Sequence, residues 1–201
     1  MFHTISDAMK ERMAKLAAMD RGELPAPPPG RLWSVPAETG RFLALLAAAA
    51  PEGKCIEIGA SGGYSGLWLS LAMKERGEKL TTYEIDPARA LVAYESYRAA
   101  GCSEQVELVI GDAKKRLADE IDPNKPPDIA FCFLDAEKAD YGEFYGMIVP
   151  RLVKRGILAA DNAISHRDEM EEFLAEVDED VRVDSLVVPI GSGVLVCRKC
   201  G

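Results

Sequence analysis

Short apolar runs alternate with longer helix-like segments along most of this chain, and that order constrains its fold more than any other feature. The runs stand at residues 55–58, 80–84, 106–110, 129–134 and 157–160. Apolar runs of this length, bounded by turn residues, read as strands buried on both faces. Between them lie segments with helix punctuation. Residues 64–76 are closed by Gly77, and 87–100 open on Pro87 and close on Gly101. Proline suits a first helical turn and glycine a left-handed stop. Further helices are predicted over 113–121 and from about Asp140 to Leu152. Ser165-His166-Arg167-Asp168 fits a capping box that opens a helix running to Val177. Two last runs, 181–188 and 194–197, are separated only by Pro189-Ile190-Gly191-Ser192-Gly193, so they form an antiparallel hairpin. Five β-α repeats and a hairpin predict an α/β fold, a doubly wound, mostly parallel seven-stranded sheet with one reversed strand.

Ahead of the repeats, Ile5, Met9, Met13, Leu16 and Ala17 follow a helical period. Such a helix packs on the domain or on a partner subunit. Residues 21–36 carry Pro25, Pro27, Pro28, Pro29 and Gly30, which favour an extended segment and forbid a central strand. The segment is a linker or a lid, and Trp33 within it either packs on the core or covers a ligand. Residues 37–50 read as a helix with Pro36 at its start. No internal repeat or second domain is visible. The chain is one domain, with 1–36 as helix and proline-rich linker or lid and 37–201 as the core.

Composition enters as a set of exclusions. A net charge of −9 argues against a general nucleic-acid surface, because phosphate contacts need a basic face. No apolar run is long enough to span a bilayer, and the first residues lack the pattern of a signal peptide. Five cysteines, an odd number in a core-forming chain, favour reduced thiols and a cytoplasmic location. Cys197 and Cys200 form a single C-x-x-C, a poor zinc motif without a second pair.

The chemistry concentrates at strand ends. The run 129–134 ends in Asp135 with Lys138 three residues on, and the run 157–160 ends in Asp161-Asn162. In an open α/β sheet such residues enter the crevice at the carboxyl edge, where ligands bind. If the two strands are neighbours, Asp135, Asp161 and Asn162 converge beneath Lys138. That all-oxygen set suits Mg²⁺, Mn²⁺ or Ca²⁺ rather than zinc. The alternative is that each acid only caps the next helix or faces solvent.

Glu57-Ile58-Gly59-Ala60-Ser61-Gly62-Gly63-Tyr64-Ser65 leaves the first strand and opens a helix, a place where backbone amides can meet an anion. Ser61 breaks the dinucleotide-binding spacing, and tight turns need glycine whatever the ligand. Glu84 ends the second strand about 20 residues beyond the turn, where a carboxylate accepts from both hydroxyls of a ribose. Turn and acid together point to a nucleoside-bearing ligand. Gly111-Asp112-Ala113 would lie on the same edge within reach of the base, unless Asp112 simply caps the following helix.

With these pieces assembled, the chain resembles the class I S-adenosylmethionine-dependent O-methyltransferases. It is most similar to their metal-dependent group, which contains caffeoyl-CoA and catechol O-methyltransferases. The matching pieces are Ser34-Val35 to Phe42, Glu57 to Ser65, Tyr83-Glu84-Ile85-Asp86 and Gly111-Asp112-Ala113. They continue with Leu134 to Tyr141, Asp161-Asn162 and residues 188–193, and together cover nearly everything from Val35 to Lys199. The D-x-x-K segment followed one strand later by D-N is the specific part. The resemblance implies a Rossmann-like methyltransferase fold, S-adenosyl-L-methionine as cofactor and a divalent ion, usually Mg²⁺. By the same resemblance Val35, Gly59, Ser61, Gly63 and Ser65 surround the methionine part of the cofactor, and Glu57 is counted with them. Glu84 takes the ribose, Ile85 lies against the adenine, and Asp112 and Ala113 contact its edge. Asp135, Asp161 and Asn162 bind the ion, Asp135 also approaches the cofactor's amino group, and Lys138 is the general base. Ser61 stands where relatives often carry an aromatic residue, and Glu137 and Ala139 replace aspartates. Only Ala163-Ile164 separate Asn162 from the predicted capping box, which suggests a short loop and an open pocket.

The expected activity is methyl transfer to a hydroxyl of a catechol-like or vicinal-diol small molecule. A bound dication lowers the hydroxyl's pKa, a lysine beside it takes the proton, and two adjacent acceptor oxygens fix the line of attack. A second reading keeps the reaction and changes the acceptor to a hydroxylated tRNA base, with Arg31, Arg41, Arg151 or Arg167 as a basic patch. A third is a cofactor-binding module without turnover. Trp33, Tyr141 and His166 are candidates to line the acceptor pocket, with packing and helix-cap roles as alternatives. Family likeness suggests a homodimer through the N-terminal helix.

Overall fold

The computed structural model describes residues 1–27, 30–120 and 126–201. Pro28 and Pro29 of the linker and Ile121 at the predicted end of a helix lie outside the described residues. In chain order the elements are α1 (Asp7–Asp20), α2 (Ala37–Ala49), β1 (Lys54–Ile58), α3 (Tyr64–Arg76), β2 (Leu80–Glu84), α4 (Pro87–Ala100) and β3 (Val106–Ile110). They continue with α5 (Ala113–Glu120), β4 (Ile129–Leu134), α6 (Tyr141–Ile148), β5 (Leu152–Ala160), α7 (Glu171–Glu179), β6 (Val183–Val188) and β7 (Val194–Lys199).

The seven strands form one sheet in the order β3-β2-β1-β4-β5-β7-β6. All neighbours pair in parallel except β7, which runs against both β5 and β6. The reversed strand is therefore the last one, inserted between β5 and β6. β4 is buried at every position, as a central strand must be when helices cover both faces. Its side chains alternate: Phe131 and Phe133 join a cluster with Leu16, Leu43, Leu67 and Ala93 from α1 to α4. Cys132 and Leu134 join the opposite cluster with Leu117, Tyr145 and Phe173 from α5 to α7.

Local chemistry sets most boundaries. Asp86 caps α4 by accepting from the Ala88 amide at 2.8 Å, Pro87 follows at the first turn, and Gly101 ends the helix in the left-handed region. α1 starts at Ser6, whose hydroxyl accepts from the Met9 amide. Met9, Met13 and Leu16 are buried, and Arg12 Nε donates to Ser96 Oγ on α4 at 3.0 Å. The helix thus turns its apolar side onto its own chain.

Three sequence-based boundaries move. β5 begins at Leu152 rather than residue 157, because the pairing with β4 shifts register between Ile129 and Phe131 around a left-handed Arg155 and Gly156. α6 stops at Ile148 and a single 3-10 turn, Val149–Arg151, leads into β5. The expected capping box does not form: α7 starts at Glu171, and residues 163–170 make a run of turns. Ser165 Oγ instead accepts from Asn162 Nδ2 at 3.2 Å and pairs with His166 Nδ1 at 2.9 Å. The loop after Asn162 is therefore long, and the inference of an open pocket from a short loop does not hold. All five cysteines are free, four of them buried. Among the described residues no helix is long and apolar enough to cross a membrane.

Candidate active site

Asp135 and Asp161 directly follow β4 and β5, and the residues before them, Leu134 and Ala160, are register partners. The ladder carries on into the acids: the Asp135 amide donates to Ile58 O at 2.9 Å and the Asp161 amide to Leu134 O at 3.1 Å. Asp161 is 3% exposed, and both its carboxylate oxygens accept from Ser192 Oγ, at 2.8 and 2.9 Å. Burial and the charge of Asp161 raise the pKa of Asp135. Burial raises Asp161 as well, against the opposing hydroxyl of Ser192. Two acids so placed resist joint ionisation unless a positive charge joins them. Asn162 adopts a left-handed φ of 68°, a conformation that Asn tolerates better than most residues. Among the described residues no group of three His, Cys, Asp or Glu is assembled for a metal ion. A cation here would take its third protein ligand from the Asn162 carboxamide.

Lys138 sits in a 3-10 turn, Lys138–Asp140, with its side chain 13% exposed. Its ammonium donates to Tyr141 Oη at 2.8 Å, Ala136 O at 3.0 Å and Asp135 Oδ1 at 3.3 Å. Tyr141 is wholly buried, edge-on to Phe173, and its hydroxyl donates toward Leu134 O and Asp161 O at 3.3 and 3.4 Å. It does not line an acceptor pocket; it props Lys138 from beneath. Tyr141 in this role and Ser192 against Asp161 are supports that sequence spacing does not reveal.

The glycine turn meets this cluster from β1. Gly59, Ser61 and Gly63 all have positive φ. The Gly59 and Ala60 amides both donate to Tyr83 O at 3.0 Å. Glu84 Oε2 accepts from the Ser61 amide at 2.6 Å, and Oε1 from the Asp86 amide at 2.9 Å, so the carboxylate is held in one orientation. Glu57 has no exposed surface and accepts from Thr82 Oγ1 at 2.6 Å, while its Oε1 has no partner. Burial pushes its pKa up to about 7, partly opposed by the hydroxyls of Ser65 and Thr82. Val35, Ser65 and Ala113 are buried. Ile85, by contrast, is 69% exposed. Asp112 Oδ1 accepts from the Lys114 amide at 2.9 Å and caps α5.

The proline-rich segment is anchored at its far end. The carboxylate of Asp20 accepts from three successive amides, Leu32 and Trp33 on Oδ1 and Ser34 on Oδ2, at 2.8 to 3.0 Å. Two of the four arginines proposed as a basic patch are engaged elsewhere. Arg41 lies over the rings of Phe2 and Trp68, and Arg151 pairs with Asp128 at the amino end of β4, opposite the acids.

Known proteins are similar to this chain in sequence and fold. Residues 21–200 match the protein family described as O-methyltransferase. A caffeoyl-CoA O-methyltransferase of Populus kitakamiensis is 27% identical over 184 residues, 83% of this chain and 78% of its own length. A catechol O-methyltransferase of Mycobacterium tuberculosis is 36% identical over 152 residues, 75% of this chain and 64% of its own. Among solved structures, the O-methyltransferase TomG of Streptomyces achromogenes in complex with SAM superposes with a TM-score of 0.77 at 26% identity. The match covers 95% of this chain and 90% of that one.

Proposed function

The chain belongs to the O-methyltransferase family and is an S-adenosylmethionine-dependent O-methyltransferase; we propose that it methylates a hydroxyl of a catechol-like or vicinal-diol small molecule with the help of a divalent cation. The observation that carries this reading is the pair of acids at the adjoining ends of β4 and β5, Asp161 buried and Asp135 partly so, with Asn162 beside them and the Lys138 ammonium on Asp135. The donor set is all oxygen and fits Mg²⁺, Mn²⁺ or Ca²⁺. When bound, the cation would stabilise an oxyanion and the cofactor would supply an electrophilic methyl group.

Each residue then has a task. Asp135, Asp161 and Asn162 hold the cation, and Asp135 also meets the cofactor's amino group. Lys138, once it is the neutral amine, takes the hydroxyl proton at Nζ. Glu84, its oxygens already oriented by two amides, keeps lone pairs for the ribose hydroxyls. Gly59, Ser61 and Gly63 let the backbone approach the methionine part, with Val35, Glu57 and Ser65 packed around it. Ile85 offers an apolar surface for the adenine, and Asp112 and Ala113 its edge. An acceptor with two neighbouring oxygens presents the attacking atom in one orientation. The scattered positions of Arg41 and Arg151 and the net charge of −9 support a small acceptor over tRNA. The five free cysteines support a reducing, cytoplasmic setting.

Transfer of labelled methyl to catechol, measured with Mg²⁺ and with EDTA, tests the proposal. Activity should vanish in EDTA and return with Mg²⁺; activity retained in EDTA would overturn the metal's role. Lys138→Ala should lose about 100-fold in turnover, and a near wild-type rate would remove it as the base.

A further inference from the structure

Residues 32–39 bridge the two halves of the site. At one end Ser61 Oγ donates to the Leu32 carbonyl, and the Leu32 side chain packs on Gly62, where an added methyl would lie 2.9 Å from Leu32 Cδ1. At the other end Thr39 and Pro36 leave no room for a side chain on Gly191, and the next residue, Ser192, holds Asp161. The segment therefore runs from the glycine turn to the acid pair, and Trp33 lies within it.

Trp33 is placed at a cost. Its φ of 55° is an outlier for a bulky side chain, and such strain persists only where the surroundings impose it. Here the imposing contact is Asp20, which takes the amides of Leu32, Trp33 and Ser34 together. The result is an indole left 59% exposed. The Arg31 guanidinium lies 4.3 Å from the ring centroid, and among the described residues no carboxylate pairs with it. Two hydroxyls of the same segment, Ser34 Oγ and Thr39 Oγ1, are buried without a hydrogen-bond partner. An incidental surface loop needs neither the clamp nor the strain.

Building on the acceptor reading above, we infer that Arg31 and Trp33 select the acceptor: a small hydroxylated aromatic acid, its ring on the Trp33 indole and its carboxylate on the Arg31 guanidinium. Indole and guanidinium together match that pair of groups, a flat ring and a planar anion. A phosphate on RNA offers the same anion, but the net charge of −9 favours the small acid.

The test is calorimetric binding of 3,4-dihydroxybenzoate and of catechol to the protein loaded with S-adenosylhomocysteine and Mg²⁺. Wild type should bind the acid more tightly than catechol. Arg31→Ala should lower the ratio of the two affinities about tenfold, Arg31→Glu should lower it further, and Arg31→Lys should keep part of it. Equal affinities in wild type, or a ratio unmoved by Arg31→Ala, would overturn the inference. Displacement of the acid by excess total tRNA would overturn the small-molecule assignment. Because binding is read apart from turnover, a protein that prefers the acid yet transfers no methyl group would refute the proposed reaction and leave this selection standing.

Discussion

Gly59 lies against the backbone carbonyl of Asp135 with no room for a side chain between them. The turn after β1 and the acid after β4 are thereby one rigid unit, which ties the glycine-lined edge to the acid pair. Gly59 also has a φ of 101°, so a substitution acts twice, through strain and through overlap with a carbonyl that cannot move. Gly59→Ala should cost about 2–4 kcal/mol of stability. Urea unfolding reads this as a lower midpoint, and an unchanged midpoint would mean that the two segments are not locked together.

Ser192 engages both oxygens of Asp161. A hydroxyl that orients a metal-binding carboxylate is worth about 10–100-fold in metal affinity. Ser192→Ala should therefore raise the Mg²⁺ concentration needed for half-maximal turnover by at least about tenfold, with the maximal rate largely recovered at saturating Mg²⁺. A Mg²⁺ dependence identical to wild type would assign Ser192 a purely structural role.

Tyr141→Phe removes one hydroxyl and keeps the ring packed on Phe173. If Tyr141 positions the Lys138 ammonium, kcat should fall about tenfold, the loss of one well-placed hydrogen bond, while KM and thermal midpoint change little. In a Lys138→Ala background the same change should cost nothing more, since contacting residues are not additive. An equal loss in both backgrounds would place the effect elsewhere.

Glu57 is a buried carboxyl whose pKa rises from the ordinary carboxylate range to about 7. The folded state then holds its proton more tightly than the unfolded chain does. This contribution is fully present below the unfolded pKa and declines as pH rises toward 7, because folding must then return a proton to a carboxylate that is ionised in the unfolded chain. Glu57→Gln should gain stability relative to wild type between about pH 4.5 and 7. The gain is bounded at roughly 3 kcal/mol. Denaturant melts at pH 5 and pH 8 check the sign, and a difference that does not grow with pH would contradict it.

The sheet, its reversed strand and the places of Asp135, Lys138, Asp161 and Asn162 were legible because short-range signals mark them. Pro87 and Gly101 bracket α4, and Gly77 stops α3, so those helices begin and end where expected. β5 was read too short because exposed Lys154 and Arg155 interrupt the apolar pattern while the backbone bulges and keeps pairing. The capping box failed because Ser165 was claimed by Asn162 and His166, and because the amides of residues 163–165 donate to Ser192 and Gly193. The supports of the site were invisible for one reason: Ser192 meets Asp161, and Asp20 meets residues 32–34, across loops that no local pattern encodes.

Whether Asp135, Asp161 and Asn162 hold a cation is read most directly by titrating Mn²⁺ into the protein with cofactor bound and counting free ion by electron paramagnetic resonance. The expected result is one bound Mn²⁺ per chain in wild type, displaced by Mg²⁺, and its loss in Asp135→Asn and in Asp161→Asn with the fold unchanged by circular dichroism. Mn²⁺ binding that survives both substitutions, or no binding in wild type, would contradict a metal-assisted methyl transfer at this site.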